Sequence, residues 1–458
     1  MSLLIKRKLK KFLINNVRSI SKLRKRQLLQ NEDKFEVYNM QPKTCTTKNK
    51  IYVWGMADTG ALGLATTIKV HKHGTMTVKR FPKRMPFGER FEVIDAAAGY
   101  GFSVFAIEPN EENNYYTLYG TGLNTDSQIG YHKLRGETRK PLELLLYPAP
   151  IELPKESHDE VHKVVKVSCG RAHTVAITEN GVIFTMGNNS YGQCARKIIE
   201  DEIYLGSNVI HRIDTKYEIF SNERIIDVTC GQDHTIFLTD DGKLYSCGWS
   251  ADGQTGLGHY KNQDEPSLIE GDIKNEKIVK VSSKGDCVLA LNDKGEVFGF
   301  GNSEYNQILL NSDEQQINVP IHLEYLTKMG KIVDIAAGGC FSMVLNENGD
   351  VFVWGYGLLG FGPKVDFCKF PKRIPPALFG RNSFNKENRV VSINCGLYQM
   401  AAINSDNDLF MWGRNKFGSL GLGHENDQYF PLKSLVGAKV KKILCGVDHS
   451  VAICNLFI

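Results

Sequence analysis

No apolar run in this 458-residue chain approaches the length of a membrane-spanning helix, so a helical span is excluded as its organising element. Long stretches with a 3.6-residue apolar period are also missing, which speaks against a helical solenoid. There is no G-x-x-x-x-G-K phosphate loop, no G-x-S-x-G nucleophile elbow and no H-E-x-x-H metal helix. Loop carboxylates such as Asp58 and Asp252 have no spacing that would pair an acid with a base. The expectation is a protein without bond-breaking catalysis and without a cofactor or metal. The eleven cysteines are odd in number and form no C-x-x-C pair, which argues against a secreted disulfide framework, so the thiols read as reduced.

Acidic residues are absent before Glu32, while the first thirty residues hold ten Lys or Arg. Leu3, Leu4, Phe12, Leu13, Ile14, Val17, Ile20 and Leu23 are interspersed with them, giving a basic amphipathic segment. This composition predicts a removable mitochondrial presequence over 1–35, followed by a linker over 36–50. The alternatives are a nucleic-acid-binding arm or a nuclear signal around Lys22 to Arg26; the apolar residues, which a nuclear signal does not need, favour the presequence. Without those ten cations the chain counts 46 basic against 51 acidic residues, a net charge of −5 rather than +5. The body is mildly acidic, so DNA is not an expected partner and any RNA contact must come from a local patch.

What is present is a paired motif recurring seven times from residue 51 onward. One half reads VSCGRAHTVAI (Val167 to Ile177), VTCGQDHTIFL (Val228 to Leu238) and ILCGVDHSVAI (Ile443 to Ile453), with weaker copies around Gly99, Lys284, Gly338 and Gly396. The other reads IYVWGMADTGALG (Ile51 to Gly63), IFTMGNNSYGQC (Ile183 to Cys194), LYSCGWSADGQTG (Leu244 to Gly256) and LFMWGRNKFGSLG (Leu409 to Gly421). Taking Gly55, Gly120, Gly187, Gly248, Gly301, Gly355 and Gly413 as its markers, the period runs from 53 to 67 residues. Apolar alternation broken by a glycine turn, followed by hairpin turns such as Thr178 to Gly181 and Asn292 to Gly295, predicts about four short strands per unit. That is a β-propeller blade, and the fold predicted for 51–458 is all-β and seven-bladed. The array starts with a second half and ends with a first half, so pairing of the N- and C-terminal strands would close the ring and remove its free edges.

Within the first half, Cys169, Cys230, Cys395 and Cys445 share a slot that Ala98, Ser283 and Ala337 fill elsewhere, a requirement for small residues in a core. His173, His234 and His449 share a second slot, filled elsewhere by Phe102, Cys287, Phe341 and Gln399; a structural histidine holding its turn is the reading. A basic surface is expected from two connections. The one after Gly63 carries Lys69, Lys72, Lys79, Arg80, Lys83, Arg84 and Arg90, and the one after Gly130 carries Lys133, Arg135, Arg139 and Lys140. Successive blades lie side by side, so the two would form one patch for RNA phosphate or an acidic protein.

On the segments Met186 to Cys194, Ser246 to Tyr260, Gly301 to Gln307, Val351 to Gly360 and Cys445 to His449, the chain resembles the regulator-of-chromosome-condensation superfamily, most closely its mitochondrial, RCC1-like exchange-factor-like branch. The resemblance covers 51–454. It implies guanine-nucleotide exchange on a mitochondrial dynamin-like fusion GTPase. As the alternative it also implies a scaffold in large-subunit mitochondrial ribosome biogenesis, binding ribosomal RNA with its modification or assembly proteins, and the two can coexist. The implied location is the matrix, with room for peripheral association at the inner membrane. In such exchange factors the turns after the repeat glycine face the GTPase, which nominates Asp233, His234, Asp286, Asp448 and His449. A projecting β-wedge is also implied, for which Glu108 to Tyr116 and Leu142 to Glu160 are the candidate segments.

Overall fold

The computed structural model describes residues 47–64, 77–111, 116–133, 140–157, 160–206, 209–214, 220, 223–308 and 314–455. The targeting segment expected over 1–35 and most of the linker lie outside these residues. The alternating apolar segments form seven four-stranded antiparallel sheets. Blades 1 to 6 take their strands in chain order and span 93–150, 164–213, 225–268, 278–322, 332–373 and 390–433.

Blade 7 joins the two ends of the described chain. Its strand order is Val78–Arg84, Asn49–Met56, His449–Asn455 and Lys439–Cys445, from the rim inward. Ile51 lies opposite Ile453 and Val53 opposite Val451, and all four are buried in the core. The closure read from the order of the half-motifs is therefore the observed one.

Four of the second-half motifs also lock onto the first half of the following blade. The main-chain oxygens of Gln128, Gln193, Gln307 and Ser419 accept hydrogen bonds from Thr174, Thr235, Ser342 and Ser450 of the next blade at 2.7–3.1 Å. All four hydroxyl residues are fully buried, where such bonds are worth most. At these four boundaries the two halves of the motif are thereby coupled.

The marker glycine is required by close approach. At Gly55, Gly187, Gly248, Gly301, Gly355 and Gly413, φ lies between 92° and 112°, and a Cβ would strike the carbonyl oxygen of the neighbouring turn. In blade 1 the equivalent residue is Gly122, with φ 110° and paired across from Phe102, and not Gly120 as the motif reading has it. The segment Tyr119-Gly120-Thr121-Gly122 offers two glycines on the same strand face, and pairing chooses the second. Gly120 is instead small because Ile129 packs over it.

Three residues before the small-residue slot, the innermost strands carry Asp95, Lys166, Asp227, Lys280, Asp334, Ser392 and Lys442 in blade order. Lys442 pairs with Asp95, Lys166 with Asp227 at 3.7 Å, and Lys280 with Asp334, each across a blade boundary. Ser392 donates to Asp334 at 3.3 Å. Asp95 and Asp334, both buried, also accept the main-chain N–H of Val167 and Ile393 in the following blade.

Candidate functional site

Every blade turns twice toward one face of the ring: once in the tight turn after the small slot, and once in the longer loop after the marker glycine. The nominated residues Asp233, Asp286 and Asp448 are in the tight turns. Asp233 forms an ion pair with Arg171 of the preceding blade, and its burial raises the carboxyl pKa against that cation's pull. Asp286 accepts from Gln232 at 2.9 Å and from Gln254 at 3.1 Å. Burial, then the neighbouring Asp252 carboxylate, push its pKa up to about 6 although the two amides oppose the shift. Asp448 takes a 2.9 Å hydrogen bond from its neighbour His449.

Asp126 and Asp252, whose partners sequence reasoning missed, extend the same arc. Asp126 accepts from Asn188 at 2.9 Å, and Asp252 from Asn302 at 3.3 Å and Gln316 at 2.8 Å. Of Asp126, Asp233, Asp252 and Asp286, only Asp233 has a cationic partner among the described residues. Repeat spacing could have flagged them, because each precedes or follows a recurrent Gln or Gly by a fixed step. The opposite arc is aromatic: Tyr305 stacks on Tyr356 at 5.1 Å, and Arg414 lies 4.7 Å over Tyr398.

The two nominated histidines do not reach this face. His234 and His449 are fully buried, as is His173. They go further than holding their own turns, because Nε2 of each reaches the next blade. His173 meets Thr235 at 3.1 Å, His449 meets Ser103 at 2.8 Å, and His234 meets Ser283 at 3.2 Å. Burial drives the pKa of His173 and His234 down to about 3, so both are neutral. Their function is to join blades. The cysteine slot is likewise structural: Cys169, Cys230, Cys395 and Cys445 are buried, and burial raises each thiol pKa.

The expected basic surface is placed in part. Lys79, Arg80, Lys83 and Arg84 lie on the rim strand of blade 7, where Arg80 pairs with Glu425 of blade 6 and Arg84 with Glu89. That strand leans on blade 6, through the 3.0 Å bond from Gly423 N–H to the Arg80 carbonyl, rather than toward blade 1. Lys79 and Lys83 have no ion-pair partner among the described residues. Lys140 is exposed, whereas Arg135 and Arg139 lie outside the described residues. Of the wedge candidates, Leu142 to Glu160 is not an insertion: Leu144–Pro150 is the rim strand of blade 1, and Glu160 pairs with Arg212. Of Glu108 to Tyr116, residues 112–115 lie outside the described residues.

Comparison with known proteins follows the same blades. Residues 204–456 match the model of the RCC1-like domain, and 48–106, 117–177 and 164–193 match models of the regulator of chromosome condensation (RCC1) repeat. The RCC1-like G exchanging factor-like protein of Mus musculus is 41% identical over 440 residues, 95% of this chain and 93% of that protein. The crystal structure of human WBSCR16 superposes with a TM-score of 0.81 at 40% identity, covering 90% of this chain and 100% of that one. Prp20p from Saccharomyces cerevisiae, studied for its binding properties to Gsp1p and histones, superposes at 0.69 over 90% of this chain and 93% of that one. At 19% identity that likeness speaks for the fold alone.

Proposed function

Given that this chain belongs to the family of RCC1-like repeat proteins, we propose that it is a guanine-nucleotide exchange factor acting in mitochondria on a dynamin-like fusion GTPase. The observation that carries the reading is the acidic arc: four carboxylates on a rigid ring, one of them answered by a cation. Such an arc suits a basic surface of a GTPase. Exchange needs no covalent step. A face that binds the nucleotide-free GTPase more tightly than the loaded one lowers nucleotide affinity by the same factor, by linkage. The likeness to the mouse RCC1-like G exchanging factor-like protein supports the same class.

The test is release of labelled GDP from the purified GTPase with and without this protein. Equal rates reject the proposal. With exchange present, the paired change Asp233→Asn and Asp286→Asn should slow it about tenfold, the loss of about 1.4 kcal/mol of differential binding. Mitochondrial import, carried by the basic leader, is tested by fusing residues 1–40 to a fluorescent reporter; a nuclear signal rejects it.

The unpaired Lys79 and Lys83 favour a second reading, in which the rim of blade 7 scaffolds large-subunit ribosomal RNA or its assembly proteins. Changing both to Glu should reduce RNA crosslinking and leave GDP release intact. Unchanged crosslinking counts against it.

A further inference from the structure

The rim strands of three consecutive blades carry one sequence pattern. Blade 5 reads Phe370-Pro371-Lys372-Arg373 and blade 7 reads Phe81-Pro82-Lys83-Arg84, with Phe430-Pro431-Leu432-Lys433 between them in blade 6. The proline also occurs in the rims of blades 1, 3 and 4, and an edge strand tolerates it. The pairing of an aromatic ring with cations does not recur there. Those three rims contain no Lys or Arg, and blade 3 has Glu265 in the place of the Phe. In blade 2 the single rim cation, Arg212, is paired with Glu160.

Phe81, Phe370 and Phe430 are 51, 54 and 43% exposed, so packing of the core does not account for them. Two of the rings are held in place nonetheless. Phe81 rests on Gly423 and Phe430 on Gly362, each a glycine of the preceding blade whose Cβ would come within 2.9 Å of the ring. Lysines stand beside aromatic rings in blade 5. Lys369 Nζ is 6.0 Å from the centre of Phe370, and Lys372 Nζ is 4.6 Å from that of Phe361, next to Gly362. Lys79, Lys83, Lys369 and Lys372 have no ion pair among the described residues. The carboxylates of Glu425, Asp350 and Asp408 are taken by Arg80, Arg373 and Lys433.

Unpaired cations call for an anion, and exposed rings beside them call for a flat apolar partner; a nucleic acid offers phosphate and base in alternation. The curvature of the ring decides its form. Blades 5 and 7 face directions two-sevenths of a turn apart, so a straight duplex or a flat bilayer that touches one rim leaves the other. A single strand bends round the wall, and its bases are free to stack. We propose that the rims of blades 5 to 7 form one track for single-stranded RNA, with Phe370, Phe430 and Phe81 stacking on bases and the four lysines holding phosphates. This rests on the reading of the blade 7 rim as an RNA surface, and adds to it the strand form and two further blades.

The test is binding of the full chain to a labelled, unstructured single-stranded RNA, followed by fluorescence anisotropy. The basic leader is common to wild type and variants, so differences between them report the rims. Phe370→Ala and Phe430→Ala should each weaken binding about tenfold, and Phe430→Tyr, which keeps a stacking ring, should bind as wild type does. The same RNA annealed to its complement should bind all of them alike. Lys369→Gln with Lys372→Gln should flatten the dependence of log Kd on log salt by about 0.7 for each lysine removed. Absence of RNA binding by wild type would remove the proposal together with the reading it rests on. Binding that is lost on changing Lys79 and Lys83 to Glu but survives Phe370→Ala and Phe430→Ala would keep that reading and overturn the proposal, as would an equal loss on the duplex. Phe-dependent binding to phosphatidylglycerol vesicles in place of RNA would overturn it in favour of a membrane surface.

Discussion

Blade 3 and blade 4 share a strand plan, and of the six positions around the axial turn they share only the aspartate, Asp233 and Asp286. Blade 3 has Cys230, Gly231, His234 and Thr235 where blade 4 has Ser283, Lys284, Cys287 and Val288. In blade 3 a large imidazole fills the space beside Cα 231 and reaches across to blade 4. In blade 4 that space is given to a lysine stem, and the inter-blade bond is relocated to Ser283. The repeat is therefore a set of coupled choices, in which one position can change when its partner three residues away changes with it.

The sharpest break comes from transplanting the lysine alone. Gly231→Lys puts a stem where the His234 ring lies, and should cost about 3 kcal/mol, read as a lowered urea midpoint at constant m. Near-wild-type stability would show that the two positions are not coupled. The reciprocal change, Cys287→His, crowds Lys284 and should cost about 2 kcal/mol. Adding Lys284→Gly should recover most of that, giving a coupling energy of about 1–2 kcal/mol in the double-mutant cycle.

Asp286, also in blade 4, sharpens the contrast through pH. Its folded pKa, about 6, lies above the unfolded carboxylate value, so the native state binds more protons between the two. Stability contributed by the protonated form is present at low pH and lost as pH rises through about 6. Asp286→Asn should remove this decline and leave the variant about 1–2 kcal/mol more stable than wild type at pH 7, measured by denaturant melts across pH 4–7. The smallest effect is expected for Lys284→Gly alone, about 0.5–1 kcal/mol from added backbone freedom, since Cys287 already leaves space.

The ring, its blade number and its closure were legible because the half-motifs are strands punctuated by glycines whose backbone geometry admits little else. Gly120 and Gly122 are alike in the sequence because both lie on one strand face two residues apart, and only the pairing of Gly122 to Phe102 decides between them. The histidine slot was legible as structural, but not as a link between blades: His173 and Thr235 are 62 residues apart. Lys284 read as a weak copy of the motif, since its lack of a partner among the described residues is a fact of three-dimensional neighbourhood. The carboxylates Asp233 and Asp286 were found by motif position, and their unequal protection, Arg171 for one and two amides for the other, was not.

The lysines and aspartates that join the innermost strands have a consequence of parity. Two signs can alternate without conflict around a ring with an even number of members, but seven is odd, so somewhere the sequence of signs must fail. It fails at Ser392, a neutral residue between Asp334 and Lys442. A ring of near-identical parts thereby acquires one distinguishable seam, and counting from it gives every blade a unique address. Exchanging two neighbouring blades away from Ser392 would set like charges side by side.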